Sequence, residues 1–183
     1  DIHTNIFLTG TISGRWSMGD PPMQAIPRYT PVYQVKNVFA ARPGYTLVEA
    51  DQGQAEMRIA CHYAKEWTMG EKIIRGADIH TETAEALGIP RDAAKRMNFG
   101  VIYGIGKTSV ARQLHISEDL AAQYLAKYHG MYPGFRRLMK MAETMAEERG
   151  YIRLWTGRVR HYDQYNDTHK AMSNLIQGAV AEI

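Results

Sequence analysis

The 183-residue sequence has a single cysteine, Cys61, which excludes an internal disulfide and suits a reducing compartment. No apolar run approaches the roughly 20 residues of a membrane span, and no signal-peptide pattern opens the chain, so no membrane partner is expected. The seven histidines are scattered without ligand-like spacing, which speaks against a zinc site. Internal repeats, low-complexity tracts and long linkers are also missing. What is present is an ordinary globular composition, 45% hydrophobic and 22% charged, enough for one or two domains with a real core. A net charge of +3 permits a polyanionic partner without demanding one.

One stretch organises the rest. In Arg91-Asp-Ala-Ala-Lys95-Arg-Met-Asn-Phe99-Gly-Val-Ile-Tyr103-Gly104, two basic and then two aromatic residues recur at every fourth position. On a helix each step of four turns about 400°, so the four side chains share one face along a line of roughly 18 Å. Pro90 suits the first helical position and Asp92 the first turn, while Gly104 and Gly106 mark an exit, so the spacing predicts a helix over 91–105. Two readings stay open here. The rings are core and the cations a solvated edge, or the cations take phosphates and the rings a sugar and base, with Gly100 and Gly104 leaving room for something flat.

Around this stretch the chain reads as follows. Residues 1–18 are extended or a hairpin, and Asp20 to Arg28 cannot be helical with prolines at 21, 22 and 27. Arg15, Gln24 and Arg28 are polar groups on stiff loops. Tyr45–Asp51 reads as a short strand delivering Asp51 as a hard-cation ligand or a turn former, with Glu49 two residues back. A helix follows from Ala55 to about Lys65, with Met57, Ala60, Cys61 and Ala64 on one side. Residues 66–90 are short helix or loop, with His80 either structural or phosphate-binding. Ser117 caps a helix ending near Gly130, and an amphipathic helix runs from about Phe135 to Arg149 with its methionines in the core. Tyr151–Tyr162 alternates as a hairpin turning on the two residues Thr156-Gly157, with Arg158 and Arg160 on one face. The last stretch, from Ala171, is helical.

Gly104-Ile-Gly106-Lys107-Thr108-Ser109 invites a phosphate-loop reading with residues 99–103 as a preceding strand. The spacing fails by one, since Val101 rather than Gly100 stands at the position needed, and no downstream strand ends in a metal-binding Asp. A phosphate-loop nucleotidase therefore stays an alternative only.

Several stretches together resemble family A DNA polymerases, the DNA polymerase I type. Arg91-x3-Lys95-x3-Phe99-Gly-x2-Tyr103-Gly is similar to that family's motif B on the fingers helix, and Asp51-Gln-Gly-Gln-Ala-Glu56-Met-Arg58 to motif A of the palm. Thr11-Ile-Ser-Gly-Arg15-Trp-Ser with Gln24-Ala-Ile-Pro27 resembles the segment entering the palm. Residues 150–158 resemble the hairpin returning from the fingers, and Gln177-Gly-Ala-Val-Ala-Glu the helix before motif C. The resemblance implies an α+β fold, with a helical fingers subdomain inserted in a partial antiparallel palm: 1–64 palm with motif A, 65–150 fingers, 151–183 return hairpin and palm helix.

It further implies template-directed DNA synthesis, with primer-template DNA and deoxynucleoside triphosphates as partners and two Mg²⁺ ions as cofactors. Carried over by position, Asp51 and the carbonyl of Gln52 are metal ligands, and Asp51 and Lys95 are catalytic. Arg91, Lys95 and His80 meet the triphosphate, Phe99 packs on the sugar, and Tyr103 with Glu56 lies near the base and the 2′ position. Arg15, Gln24, Arg28, Arg158 and Gln177 contact DNA. The phenylalanine at 99 implies discrimination against dideoxynucleotides. Departures are Gln52-Gly53 for Tyr-Ser, Pro22 and Ala25 where Asn is common, and His169 and Ser173 where Arg and Asn are common. Motif C, the His-Asp-Glu hairpin with the second carboxylate, has no counterpart, and Glu49, Asp163 or Glu182 would be improvised substitutes. The expectation is an internal fragment of a longer polymerase, inactive alone, from a bacterial or phage-infected cytoplasm or an organelle. The alternative is a noncatalytic nucleic-acid-binding module.

Overall fold

Residues 2–27, 34–163 and 167–183 are described by a computed structural model, which divides into two units, Asp1–Gly53 and Gln54–Ile183. Arg28 lies outside the described residues.

In the first unit β1 (Asn5–Phe7) pairs antiparallel with β2 (Ser17–Gly19), Ile6 opposite Met18, as the hydroxyl-rich opening stretch leads one to expect. The intervening loop is closed by its own polar groups: Thr11 Oγ1 donates to the carbonyl of Arg15 at 2.7 Å, and the Gly14 amide to that of Thr11 at 3.1 Å. The proline-rich run forms no α-helix but does wind one 3₁₀ turn, Met23–Ala25, because Pro21 and Pro22 supply its acceptor carbonyls and need donate nothing. The strand expected at 45–51 is not formed. A strand needs a neighbour for its amides and carbonyls, and no described segment pairs with this one, so Tyr45, Leu47 and Val48 stand 64%, 65% and 88% exposed.

The second unit is helical. α1 (Ala55–Ala64), α2 (Trp67–Ile74) and α3 (Ile79–Leu87) lead to α4 (Arg91–Ile102), and α5 (Lys107–Leu114), α6 (Glu118–Met131) and α7 (Pro133–Arg149) follow. A hairpin of β3 (Tyr151–Arg153) and β4 (Val159–His161) then leads into α8 (Ala171–Ala181). The apolar side read for α1 is the buried one, Met57, Ala60, Cys61 and Ala64. Its core joins α1, α7 and α8 around Tyr128, Tyr132 and Phe135, whose ring centroids lie 5.3 to 6.4 Å apart. Glu66, nearly buried, accepts from the Gly134 amide at 2.8 Å and so ties the α1–α2 corner to the first turn of α7. That contact requires glycine, since a Cβ at 134 would meet Ala64 O at 2.7 Å.

Four further expectations need correction. Helix α4 ends at Ile102 rather than 105 and starts one residue after Pro90: Gly104 turns left-handed at φ +73°, and the Ile105 amide reaches back to the carbonyl of Gly100 at 2.9 Å, capping the last turn. Residues 107–114 are a helix that sequence spacing did not announce, so Lys107 opens α5 after a helix end, and no strand precedes it as a phosphate loop requires. The hairpin turns on three residues, 155–157, because the Leu154 amide still donates to the Arg158 carbonyl at 2.8 Å. Met141 of α7 is 48% exposed, because it falls outside the stripe of Phe135, Leu138, Ala142 and Ala146, about 100° around the helix.

Candidate nucleotide-binding face

The four-residue ladder is on the solvent side of α4. Ala93, Ala94, Met97, Asn98, Val101 and Ile102 form its buried stripe, which leaves Arg91 and Lys95 exposed, Phe99 half-buried and Tyr103 39% exposed. Lys95, Arg96, Phe99, Gly100, Tyr103 and Gln113 line a groove of about 390 Å³. The glycines explain themselves differently from the open-space reading. A Cβ at Gly100 would sit 3.0 Å from the Ile105 side chain, so that space is filled by the chain's own return rather than left for a flat ligand.

Each ladder residue has identifiable neighbours. Asp78 caps α3, accepting from the amides of His80 at 3.0 Å and Thr81 at 3.2 Å, and its other oxygen accepts from Arg91 Nε at 2.8 Å. The Arg91 guanidinium holds the Asp78 carboxyl well below the usual carboxylate range. Because this pair uses Nε, it sets the guanidinium plane without engaging the terminal amino groups. Lys95 forms no ion pair with a described residue. The Tyr103 hydroxyl donates to Glu56 at the start of α1, joining the two residues read for the base and 2′ side. His80, on α3, is buried under this face with its ring 5.7 Å from that of Phe99 and its Nδ1 2.9 Å from Asn98 Nδ2. Burial, with Arg91 and Lys95 adding to it against Asp78, holds the His80 pKa below its ordinary 6.5.

The other candidates belong to other elements. Gln177, on α8, donates to Ser173 at 3.3 Å. Arg158 lies 3.7 Å from Glu182, which also accepts from Thr156, so Glu182 is occupied as an ion-pair partner. In the first unit Gln24 donates to the Trp16 carbonyl at 3.0 Å, and Arg15, Asp51 and Gln52 are exposed. Asp51 and Gln52 offer one carboxylate and one carbonyl. Among the described residues no three His, Cys, Asp or Glu side chains gather as a metal site, so the donors present do not fit a two-ion centre.

A larger groove, about 680 Å³, runs along the outer side of α7 past Arg136, Arg137, Lys140 and Met141. Size favours it and chemistry does not, since no Phe, Tyr or Trp lines it, whereas the ladder groove sets a cation beside two such rings. Sequence reasoning missed Asp78, Thr83 and Asn98. Asn98 had a signal: it is a polar residue at a position of α4 whose helical neighbours 94, 97, 101 and 102 are apolar.

The whole chain, residues 1–183, matches the family model for DNA polymerase family A. It is 33% identical to DNA polymerase I of Rhizobium leguminosarum, in an alignment covering all of this chain and 20% of that protein. It is 32% identical to the thermostable DNA polymerase I of Thermus thermophilus, covering all of this chain and 24% of that one. The chain thus spans about a fifth to a quarter of the length of these relatives. Among solved structures it is similar to the POL domain of Pol1 from M. smegmatis, in complex with DNA primer-template and dNTP. The TM-score is 0.88 at 26% identity, over 98% of this chain and 35% of that one. With motif order, fold and whole-length match in agreement, the chain belongs to DNA polymerase family A.

Proposed function

We propose that this chain is the nucleotide-selecting part of a longer DNA polymerase, with residues 65–150 as fingers and the flanking segments as parts of the palm. The observation that carries the reading is the exposed order cation, cation, ring, ring on α4, with His80 beneath it. A deoxynucleoside triphosphate has the complementary order of polyanion, sugar and base. Arg91, oriented by Asp78, and Lys95 hold the phosphates by charge-assisted hydrogen bonds. Phe99 packs on the sugar, and Tyr103, tied to Glu56, closes the base end and leaves no room for a 2′-hydroxyl. Lys95 gives its proton to the departing pyrophosphate. Arg15, Gln24, Arg28, Arg158 and Gln177 face the primer-template. The structural neighbour's complex with primer-template and dNTP supports these partners.

Family A DNA polymerases are generally metal-dependent. In this chain Asp51 and the Gln52 carbonyl would supply part of the donor set for Mg²⁺. Two ions need further carboxylates than the described residues bring together.

The test uses the longer polymerase. Lys95→Ala should lower single-nucleotide incorporation by at least about a hundredfold. Asp51→Ala should abolish incorporation and leave primer-template binding in place. Unchanged incorporation in Lys95→Ala would refute the phosphate and proton roles, and a noncatalytic module would show no incorporation even before substitution.

A further inference from the structure

Beneath the ladder α3 and α4 share a sealed polar contact. Thr83 and Asn98 are fully buried, and His80 keeps 6% of its surface exposed. The Thr83 hydroxyl lies 2.7 Å from the Ile79 carbonyl and 3.2 Å from Asn98 Oδ1, sharing its hydrogen between the two acceptors. Asn98 Nδ2 faces the Ile79 carbonyl at 3.5 Å and His80 Nδ1 at 2.9 Å. A carboxamide has one accepting and one donating end. With the hydroxyl on the accepting end, the donating end points at the ring. Nδ1 then accepts, and the neutral imidazole carries its hydrogen on Nε2. The buried ring nitrogen that lacks a partner among the described residues is that of His129, so Nε2 of His80 is not sealed.

We propose that Asn98 is a positioning residue that locks His80 as the Nε2–H tautomer, so that the ring meets the nucleotide triphosphate as a neutral hydrogen-bond donor. The groups around the ring are Asp78 on its own helix and Arg91, Lys95 and Phe99 on α4. Between two cations a third positive charge is unfavourable, and a neutral donor adds a directed hydrogen bond without one. An unlocked ring would spend part of its time presenting the Nε2 lone pair to the phosphate oxygens. This inference rests on the reading of α4 as the nucleotide site.

Ring ¹⁵N spectra of the 183-residue chain at about pH 7.5 decide it. The expected result is a protonated Nε2 and an unprotonated Nδ1 for His80, with the Nε2 signal moving on addition of dATP. Asn98→Asp should invert the tautomer, since a carboxylate accepts from Nδ1–H, and should weaken dATP binding about tenfold. Thr83→Val, similar in size, should leave a mixture of tautomers. The wild-type spectrum suffices if neither variant folds: an Nδ1–H ring, or an even mixture, overturns the lock. A locked ring whose signals ignore dATP while the Lys95 and Phe99 amides shift overturns the donor role alone, whereas no shift at ring or amides overturns the nucleotide-site reading.

Discussion

Single residues divide here by whether their role depends on one element or two. Arg91, Lys95, Phe99 and Tyr103 were legible because one helix period places them, whereas Asp78, Thr83 and Asn98 act only where α3 packs on α4, which no local spacing encodes. The sugar-packing role of Phe99 is testable by Phe99→Tyr in the longer polymerase, which should relax selection against dideoxynucleotides in single-nucleotide assays. Unaltered selectivity would remove that assignment. Cys61 gives a second residue-level expectation. Burial, with Glu66 adding to it, pushes its thiol up to about 12. At pH 8 its thiolate fraction is then about a thousandfold below that of a thiol at the ordinary 9.0. Alkylation by iodoacetamide should be correspondingly slow in the folded chain and fast in urea, and rapid labelling without urea would contradict the buried assignment.

At the level of elements, helices with a cap and an apolar stripe were readable, while segments needing a distant partner were not. Ser117 caps α6 by accepting from the Leu120 amide at 3.2 Å, as its place before Glu118-Asp119 announced. Residues 45–51 have strand composition and no strand, because pairing is a property of two segments. Helix α5 escaped notice since its opening Gly106-Lys107-Thr108 mimics a phosphate loop. The join between α1 and α7 rests on Gly134, where an added methyl would lie 2.7 Å from one oxygen and 2.8 Å from another. Gly134→Ala should therefore destabilise the chain by about 1–3 kcal/mol in urea unfolding, even though alanine is the better helix former. A neutral or stabilising result would mean that this corner relaxes more easily than its packing indicates.

For the molecule as a whole, acid should weaken the fold in two stages. Burial lowers the pKa of His80 and of His129 below 6.5, so the unfolded chain binds more protons near and below that value. Their contribution is present above pH 6.5 and is lost as pH falls through the lowered values, by at most about 1.4 kcal/mol per pH unit for each. At lower pH, from about 4 downward, Asp78, Glu118 and Asp167 follow, because Arg91, Thr108 with Lys107, and Lys170 hold their carboxyls low. The melting temperature should decline in both windows, and His80→Gln should make the first shallower while the His129 part remains. Fold class and family were legible in the sequence because motifs recur in order along nearly its whole length. The donor set was not completed by folding, since among the described residues no three His, Cys, Asp or Glu side chains gather as a metal site.

If the exposed face of α4 holds a deoxynucleoside triphosphate as proposed, titrating the ¹⁵N-labelled chain with dATP will reveal it at the backbone amides. The predicted result is a set of shifts centred on His80, Arg91, Lys95, Phe99 and Tyr103, weakened by salt and about tenfold by Lys95→Ala. Shifts gathering instead along α7 at Arg136, Arg137 and Lys140, or a titration indifferent to Lys95→Ala, would contradict it.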